Sequence, residues 1–398
     1  MYEYLFLFAV LIFLYSIFAT RIEKMLVNGP FLFMVVGIIL GPLVLNAVDL
    51  KISGDEYETL ANLALALVLF TGAASVDLEV LKSSVTIPAR LLFIGLPLTI
   101  ISGFITGYFI FNDLLIIELA ILATVLAPTD AALGEAVVKD QVVPAKVRNA
   151  LNVESGLNDG ISVPIFLLLL AFLKVHAIDE VTWQFGLGLF AKEIGIGLAV
   201  GSVVMYLGAR LLLFAEVRKW IGTAWKPAIV ISLALSCFAL ADILGGSGFI
   251  ACFTGGFIYG AVNKKYKSNL QEHAEGLGNV LTFLIWIIFG SFIISTYFRD
   301  FTWPVLLYSL ISLTLVRIVP VMIALTRSKV TLKEKLFIGW FGPRGLASIV
   351  FAVMLLDAHL PQENTVILTI ICTVMLSVIL HGITANPLVN SFKTKNTE

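Results

Sequence analysis

Residues 127–164 read APTDAALGEAVVKDQVVPAKVRNALNVESGLNDGISVP, and the rest of the chain is best understood from this stretch. It carries Asp130, Glu154 and Asp159 within a sequence that is otherwise almost continuous hydrocarbon. Each ionised carboxylate near the middle of a bilayer costs about 3 kcal/mol on insertion scales. Three of them held so close together point to a use. Glu154 and Asn158 are four residues apart, as are Ser155 and Asp159, so a helix here gathers all four on one polar side. Pro128 deprives a preceding helix of a donor and frees carbonyl oxygens beside Thr129 and Asp130. Carboxylates, a hydroxyl, an amide and loosened backbone make an oxygen-rich set suited to a small hard cation or a proton.

The surroundings set the class. The chain has 398 residues, of which 59% are hydrophobic and 13% charged, the composition of a polytopic membrane protein. A net charge of −1 excludes a general nucleic-acid footprint. The first twenty residues lack a basic n-region and a small-residue cleavage site, so a retained span is expected there. Cys237, Cys252 and Cys372 match no metal or disulfide spacing, and neither a cofactor nor a separate soluble domain is expected.

Thirteen apolar segments lie at about 3–20, 28–48, 58–76, 90–111, 114–138, 149–173, 185–213, 225–244, 247–262, 276–297, 301–325, 334–356 and 363–388. Charge offers a separate test. With the N-terminus outside and loops alternating, twenty of the 26 Lys and Arg fall inside and four, Lys51, Lys174, Lys192 and Arg299, outside. This positive-inside asymmetry puts the C-terminus in the cytoplasm. Lys264, Lys265 and Lys267 read as part of that anchor, and Arg317 and Arg344 fall within segments. Segments four to six and eleven to thirteen follow one plan, each with an interrupted middle member: Pro128-Thr129-Asp130 in the fifth and Gly342-Pro343-Arg344-Gly345 in the twelfth. Paired interruptions of this kind mark transporters built from inverted repeats. The expected fold is therefore all-α, with about 13 transmembrane helices and two crossed, unwound ones. Asp130 would offset the positive N-terminal ends at the crossing and Arg344 the negative C-terminal ends.

Four runs, LAPTDAALGEAVV (126–138), VRNALNVESGLNDGISVP (147–164), ALADILGGSGFIACFTGG (239–256) and GWFGPRGLASIVFA (339–352), resemble NhaP-like sodium/proton antiporters of the monovalent cation/proton antiporter superfamily. The resemblance implies a homodimer in which a core rocks past a dimerisation scaffold. It implies a core near 90–173 and 301–388, a scaffold near 1–89 and 185–297, and one transport unit over 1–398. It implies that the ion is held around Asp159 with Ser155, Asp130 and Thr129, that Asn158 belongs to the Asn-Asp pair, and that Glu154 pairs with Arg317. Where some relatives place an acidic residue on the third helix, this chain has Thr71, Gly72 and Ala73, with Asp77 farther along.

The expected activity is exchange of Na⁺, with Li⁺ implied by the family, for H⁺ across the cell membrane by alternating access. Asp159 is read as the shared carrier of cation and proton. Because Asn158 stands where electrogenic relatives have aspartate, the cycle is expected to move one cation for one proton with no net charge. A potassium/proton antiporter is the alternative. An intramembrane hydrolase on Ser155 or Ser162 lacks an activating His or Lys, so no enzyme is expected. A channel is disfavoured by the paired breaks. His176, His273, His359 and His381 are read at loops or segment ends, and Asp242 with GGSGF as a tight turn.

Overall fold

The computed structural model describes residues 2–24, 29–47, 54–75, 86–130, 133–134, 137–138, 140–176, 183–222, 225–262, 267–356 and 360–393. Asp77 and His359, the side chains of His176 and His273, and the 264–267 lysine cluster's side chains lie outside what is described. Among the described residues all regular structure is helical. Hydrocarbon offers no partner for backbone N–H and C=O groups, and a helix satisfies them within its own segment.

The helices are α1 (Tyr2–Lys24), α2 (Gly29–Leu40), α3 (Gly54–Ser75), α4 (Thr86–Ile110), α5 (Ile116–Val125), α6 (Ala145–His176), α7 (Trp183–Val217), α8 (Lys226–Ile243), α9 (Gly248–Val262), α10 (Lys267–Ile288), α11 (Trp303–Ala324), α12 (Leu332–Trp340), α13 (Leu346–Leu356) and α14 (Glu363–Asn390). Among the described residues, seven apolar helices are long enough to cross a bilayer, and six shorter ones lie within the apolar segments read from the sequence. The run after Asp242 is a tight turn, with Gly245 at φ +74° and its N–H bonded to the Asp242 carbonyl at 2.9 Å.

Packing divides into three apolar clusters. The largest joins α2, α3, α5, α6, α10, α13 and α14, with Phe166 of α6 stacked on Phe351 of α13 at 4.6 Å. A second holds α3, α7, α8 and α9 together, and a third closes one end of α6, α11 and α12. The three cysteines are buried and unbridged. Outward-facing Phe6, Phe13, Tyr206, Leu211 and Phe214 on α1 and α7 leave apolar surface of the kind a bilayer covers.

Two features bend the helical frame near its centre. α11 breaks at Thr314 (φ −111°, ψ −91°), two residues before Val316, whose carbonyl would clash with the ring of Pro320. More important for the site, α5 stops at Val125, and residues 126–130 carry no helix. Likewise α12 stops at Trp340, and residues 341–345 carry no helix before α13 begins.

A candidate ion site at two crossed helix breaks

The two non-helical stretches cross in contact. Asp130 N–H donates to the Pro343 carbonyl at 2.7 Å. The Asp130 carboxylate accepts from Leu346 N–H (2.8 Å), at the start of α13, through Oδ2 and from Leu133 N–H (3.1 Å) through Oδ1. One carboxylate thus serves N–H groups on both strands of the crossing, where unpaired donors and helix dipoles concentrate positive charge. The opposite ends are served by a cation. Arg344 Nη1 donates to the carbonyls of Ala127 and Pro128, the latter at 3.0 Å, just beyond the C-terminus of α5. Arg344 is fully buried, and its backbone N–H is held by Ser377 Oγ of α14 at 2.7 Å. The glycines flanking Pro343-Arg344 are dictated by space. A Cβ on Gly345 would overlap the Asp130 carboxylate, and one on Gly342 would overlap the Arg317 guanidinium.

α6 passes this crossing with its polar face inward. Asn158 Nδ2 donates to Thr129 Oγ1 at 2.6 Å, and Thr129 Oγ1 lies 3.1 Å from Ser155 Oγ. Thr129, Ser155 and Asn158 thereby tie the break to α6. Glu154 Oε1 meets Arg317 Nη2 of α11 at 2.7 Å with both side chains about 1% exposed. Removing one partner of such a pair strands a charge, at a cost of about 3–5 kcal/mol. Asp159 follows Asn158, is 8% exposed and lies near enough to Asp130 for the two charges to repel. Its Oδ1 has no hydrogen-bond partner among the described residues.

A cavity of about 220 Å³ leads to this region. It is lined by Asp130 and Ser155, by Thr71 and Ser75 of α3 and by Asn279 and Thr282 of α10. Asp159 is not part of the lining and sits one turn beyond Ser155 along α6. The structure therefore brings Thr129, Asp130, Ser155, Asn158 and Asp159 to one place, with Glu154–Arg317 and Arg344 around them. The cavity reaches only Asp130 and Ser155 of that set.

The chain as a whole has counterparts among known proteins. The family model for the transmembrane sodium/hydrogen exchanger matches residues 7–391. The chain belongs to the sodium/hydrogen exchanger family. The exchanger chain is 24% identical over 388 residues to a protein named K(+)/H(+) antiporter NhaP from Alkalimonas amylolytica, covering 96% of this chain and 66% of that one. It is 24% identical over 418 residues to a Na(+)/H(+) antiporter from Schizosaccharomyces pombe, covering 94% and 87%. This chain thus spans a little under two thirds of the length of the Alkalimonas protein. In fold it is similar to the sodium proton antiporter MjNhaP1 from Methanocaldococcus jannaschii at pH 8, with a TM-score of 0.76 and 22% identity over 98% of this chain and 99% of that one.

Two buried groups of this chain escape the sequence reading. His381, expected near a segment end, is 2% exposed inside α14. Its Nε2 lies 2.8 Å from the Trp340 carbonyl, where α12 ends, and can donate to it, while its Nδ1 lies 3.2 Å from Ser377 Oγ, which can donate to the ring in turn. The segment continues past the histidine because the buried imidazole finds both its partners in protein. The i, i+4 spacing of Ser377 and His381 within an apolar run was the available signal. Glu118, fully buried, accepts from Leu115 N–H at its own helix start and from Gln362 N–H at the start of α14, both at 2.8 Å. Its position three residues after a helix start is a capping signal.

Proposed function

We propose that this chain is a secondary active antiporter, exchanging Na⁺, and Li⁺ with it, for H⁺ by alternating access, with Asp159 as the exchangeable group. The observation that carries the assignment is how the acids near the crossing are occupied. Asp130 is committed to two backbone N–H groups, and Glu154 is neutralised by Arg317. Asp159 alone of the three has an oxygen, Oδ1, with no hydrogen bond among the described residues and no cation beside it. A buried carboxylate in that condition is stabilised by binding either a proton or a cation, and the two compete for it. Ser155, Asp130 and Thr129 supply further oxygens, and Asn158 positions Thr129.

With Asn158 neutral, Asp159 crosses the membrane carrying one Na⁺ or one H⁺, so the cycle moves no net charge. It gains nothing from the roughly 2.3 kcal/mol per charge per 100 mV that a potential offers. It runs on the two concentration gradients, at about 1.4 kcal/mol per tenfold. The moving core comprises about 90–173 and 301–388, and the rest forms the scaffold of a homodimer in the cell membrane. With thirteen spans and the basic loops inside, the N-terminus lies outside and the C-terminus in the cytoplasm. The cavity, lined by Val137, Val138 and Leu151 on either side of the basic 139–148 segment, faces the cytoplasm. Potassium is the second reading, and it is favoured by the name of the Alkalimonas relative.

Proton flux in proteoliposomes under imposed Na⁺ or K⁺ gradients, with the potential clamped at several values, tests the proposal. The expected result is Na⁺-coupled flux that ignores the clamp and is abolished in Asp159→Asn. Flux that follows the clamp would reject the one-for-one cycle. An active Asp159→Asn variant would reject the carrier, and flux with K⁺ alone would replace the substrate.

A further inference from the structure

We propose that Thr282 of α10 is a contact for the transported cation, made from the scaffold wall and only while the cavity is open. This deepens the exchange reading above and rests on it. Threonine in a membrane helix ordinarily donates its hydroxyl to the carbonyl one turn back. The other buried helical threonines described here all do so: Thr71 to Leu67, Thr99 to Gly95, Thr124 to Ala120, Thr369 to Thr365 and Thr373 to Thr369, at 2.6–2.9 Å. Thr282 does not. It is 3% exposed, and its Oγ1 has no hydrogen-bond partner among the described residues. A buried hydroxyl left unmade is costly unless something fills its place.

What lies beside Thr282 indicates the ligand. It lines the same cavity as Asp130 and Ser155, which belong to the proposed core. A small hard cation leaving water needs several oxygens to replace its shell. On α3 the Thr71 and Ser75 hydroxyls donate to the Leu67 and Gly72 carbonyls, both at 2.8 Å, which fixes their rotamers and leaves their lone pairs. Thr282 has no such bond among the described residues and is free to turn its oxygen to the ion and its hydrogen to a water of the ion's shell. Thr282 therefore supplies a neutral oxygen from the wall where α3 offers no carboxylate. The cavity has room for several waters, on the order of 30 Å³ each in the liquid, so a partly hydrated ion fits between the walls.

Geometry then gives the contact a direction. α10 belongs to the proposed scaffold, and α6 to the core that carries Asp159. When the core moves, the ion leaves Thr282 behind. An interaction made in one state alone strengthens binding in that state only, and biases the equilibrium toward it. Thr282 should thus set cation affinity on the cavity side without touching affinity on the other.

The test is Na⁺/H⁺ exchange in oriented proteoliposomes, with the Na⁺ KM measured from each face for the wild type, Thr282→Val, Thr282→Ser and Thr282→Ala. Valine keeps the volume and removes the hydroxyl, and serine keeps the hydroxyl. The expected result is a Na⁺ KM raised about threefold to tenfold at the cavity face in the valine variant, the size of one lost polar contact. The opposite face should be unchanged, and serine should restore the wild-type value. If the valine variant does not reach the membrane, the alanine variant decides by the same comparison. A KM unchanged at both faces, or raised equally at both, overturns the assignment while leaving the exchange reading intact. A wild type that exchanges no cation for protons overturns both.

Discussion

Asp130 and Asp159 are both acids of the crossing, yet their isosteric neutralisation should move stability in opposite directions. In Asp130→Asn only one oxygen remains, whereas the carboxylate accepts from Leu133 N–H and Leu346 N–H through different oxygens. The amide nitrogen would face one of these donors, leaving a backbone N–H unmatched at about 1–3 kcal/mol. The other bond would pass from charge-assisted to neutral, losing about 1 kcal/mol more. The sum is about 2–4 kcal/mol, drawn from the point where two helix N-termini meet. Asp159→Asn removes a charge whose Oδ1 has no hydrogen-bond partner among the described residues, so relief of desolvation and of repulsion from Asp130 outweighs what is lost. The buried thiols Cys237, Cys252 and Cys372 provide the assay: a dye that fluoresces on reacting with thiols reports unfolding during a thermal ramp in detergent. The expected order is Asp130→Asn melting several degrees below wild type and Asp159→Asn at or above it. Equal melting of all three, or a destabilised Asp159→Asn beside an unaffected Asp130→Asn, would refute this account of which carboxylate is structural.

Two further perturbations follow from the same contacts. Glu154→Gln or Arg317→Met alone should destabilise by about 3–5 kcal/mol, and the double variant should recover much of that loss, because the single changes each leave one buried charge without its counterpart; a double-mutant cycle on the same melts reads this directly, and additive losses would contradict it. Gly345→Ala should abolish transport and lower the melting temperature, since its methyl group overlaps the Asp130 carboxylate, and a fully active, equally stable variant would show that the crossing yields easily.

Much of this was readable before any coordinates. A proline beside an aspartate in one apolar segment and Gly-Pro-Arg-Gly in another signal helices that cannot continue, and breaks in hydrocarbon must be matched by charge. The polar face of α6 follows from the spacing of Glu154, Ser155, Asn158 and Asp159 alone. Less legible were groups whose role depends on a partner far away in sequence. Glu118 reads as an ordinary cap until Gln362, 244 residues later, is seen to share it. Glu334 is its counterpart: it accepts from Thr331 N–H at the start of α12 and pairs with Lys146 at the start of α6 at 2.9 Å. Each interrupted helix is thus fastened at its origin to the third helix of the opposite triplet. No local pattern distinguishes Thr282 either, because its distinction is a bond that it does not make.

These fastenings bear on how such a core could carry an ion. At the crossing Asp130 is matched to N–H groups and Arg344 to C-terminal carbonyls, while Glu154 is matched to Arg317. Each of these charges is compensated across the two three-helix triplets that together make up the proposed core, so each would travel together with its counterpart. A rigid-body movement of the triplets then costs no separation of opposite charges, which in a low-dielectric interior would be prohibitive. On the exchange proposed here, the residual charge of the moving body is that of Asp159, and it vanishes when a proton or a monovalent cation is bound. An empty, ionised Asp159 would have to cross the bilayer as a bare carboxylate, at about 3 kcal/mol on insertion scales. That penalty slows the empty carrier by roughly a hundredfold relative to the loaded one. Coupling between the two ions then needs no gate of its own, because the same unmatched carboxylate that binds the ion forbids the return without one.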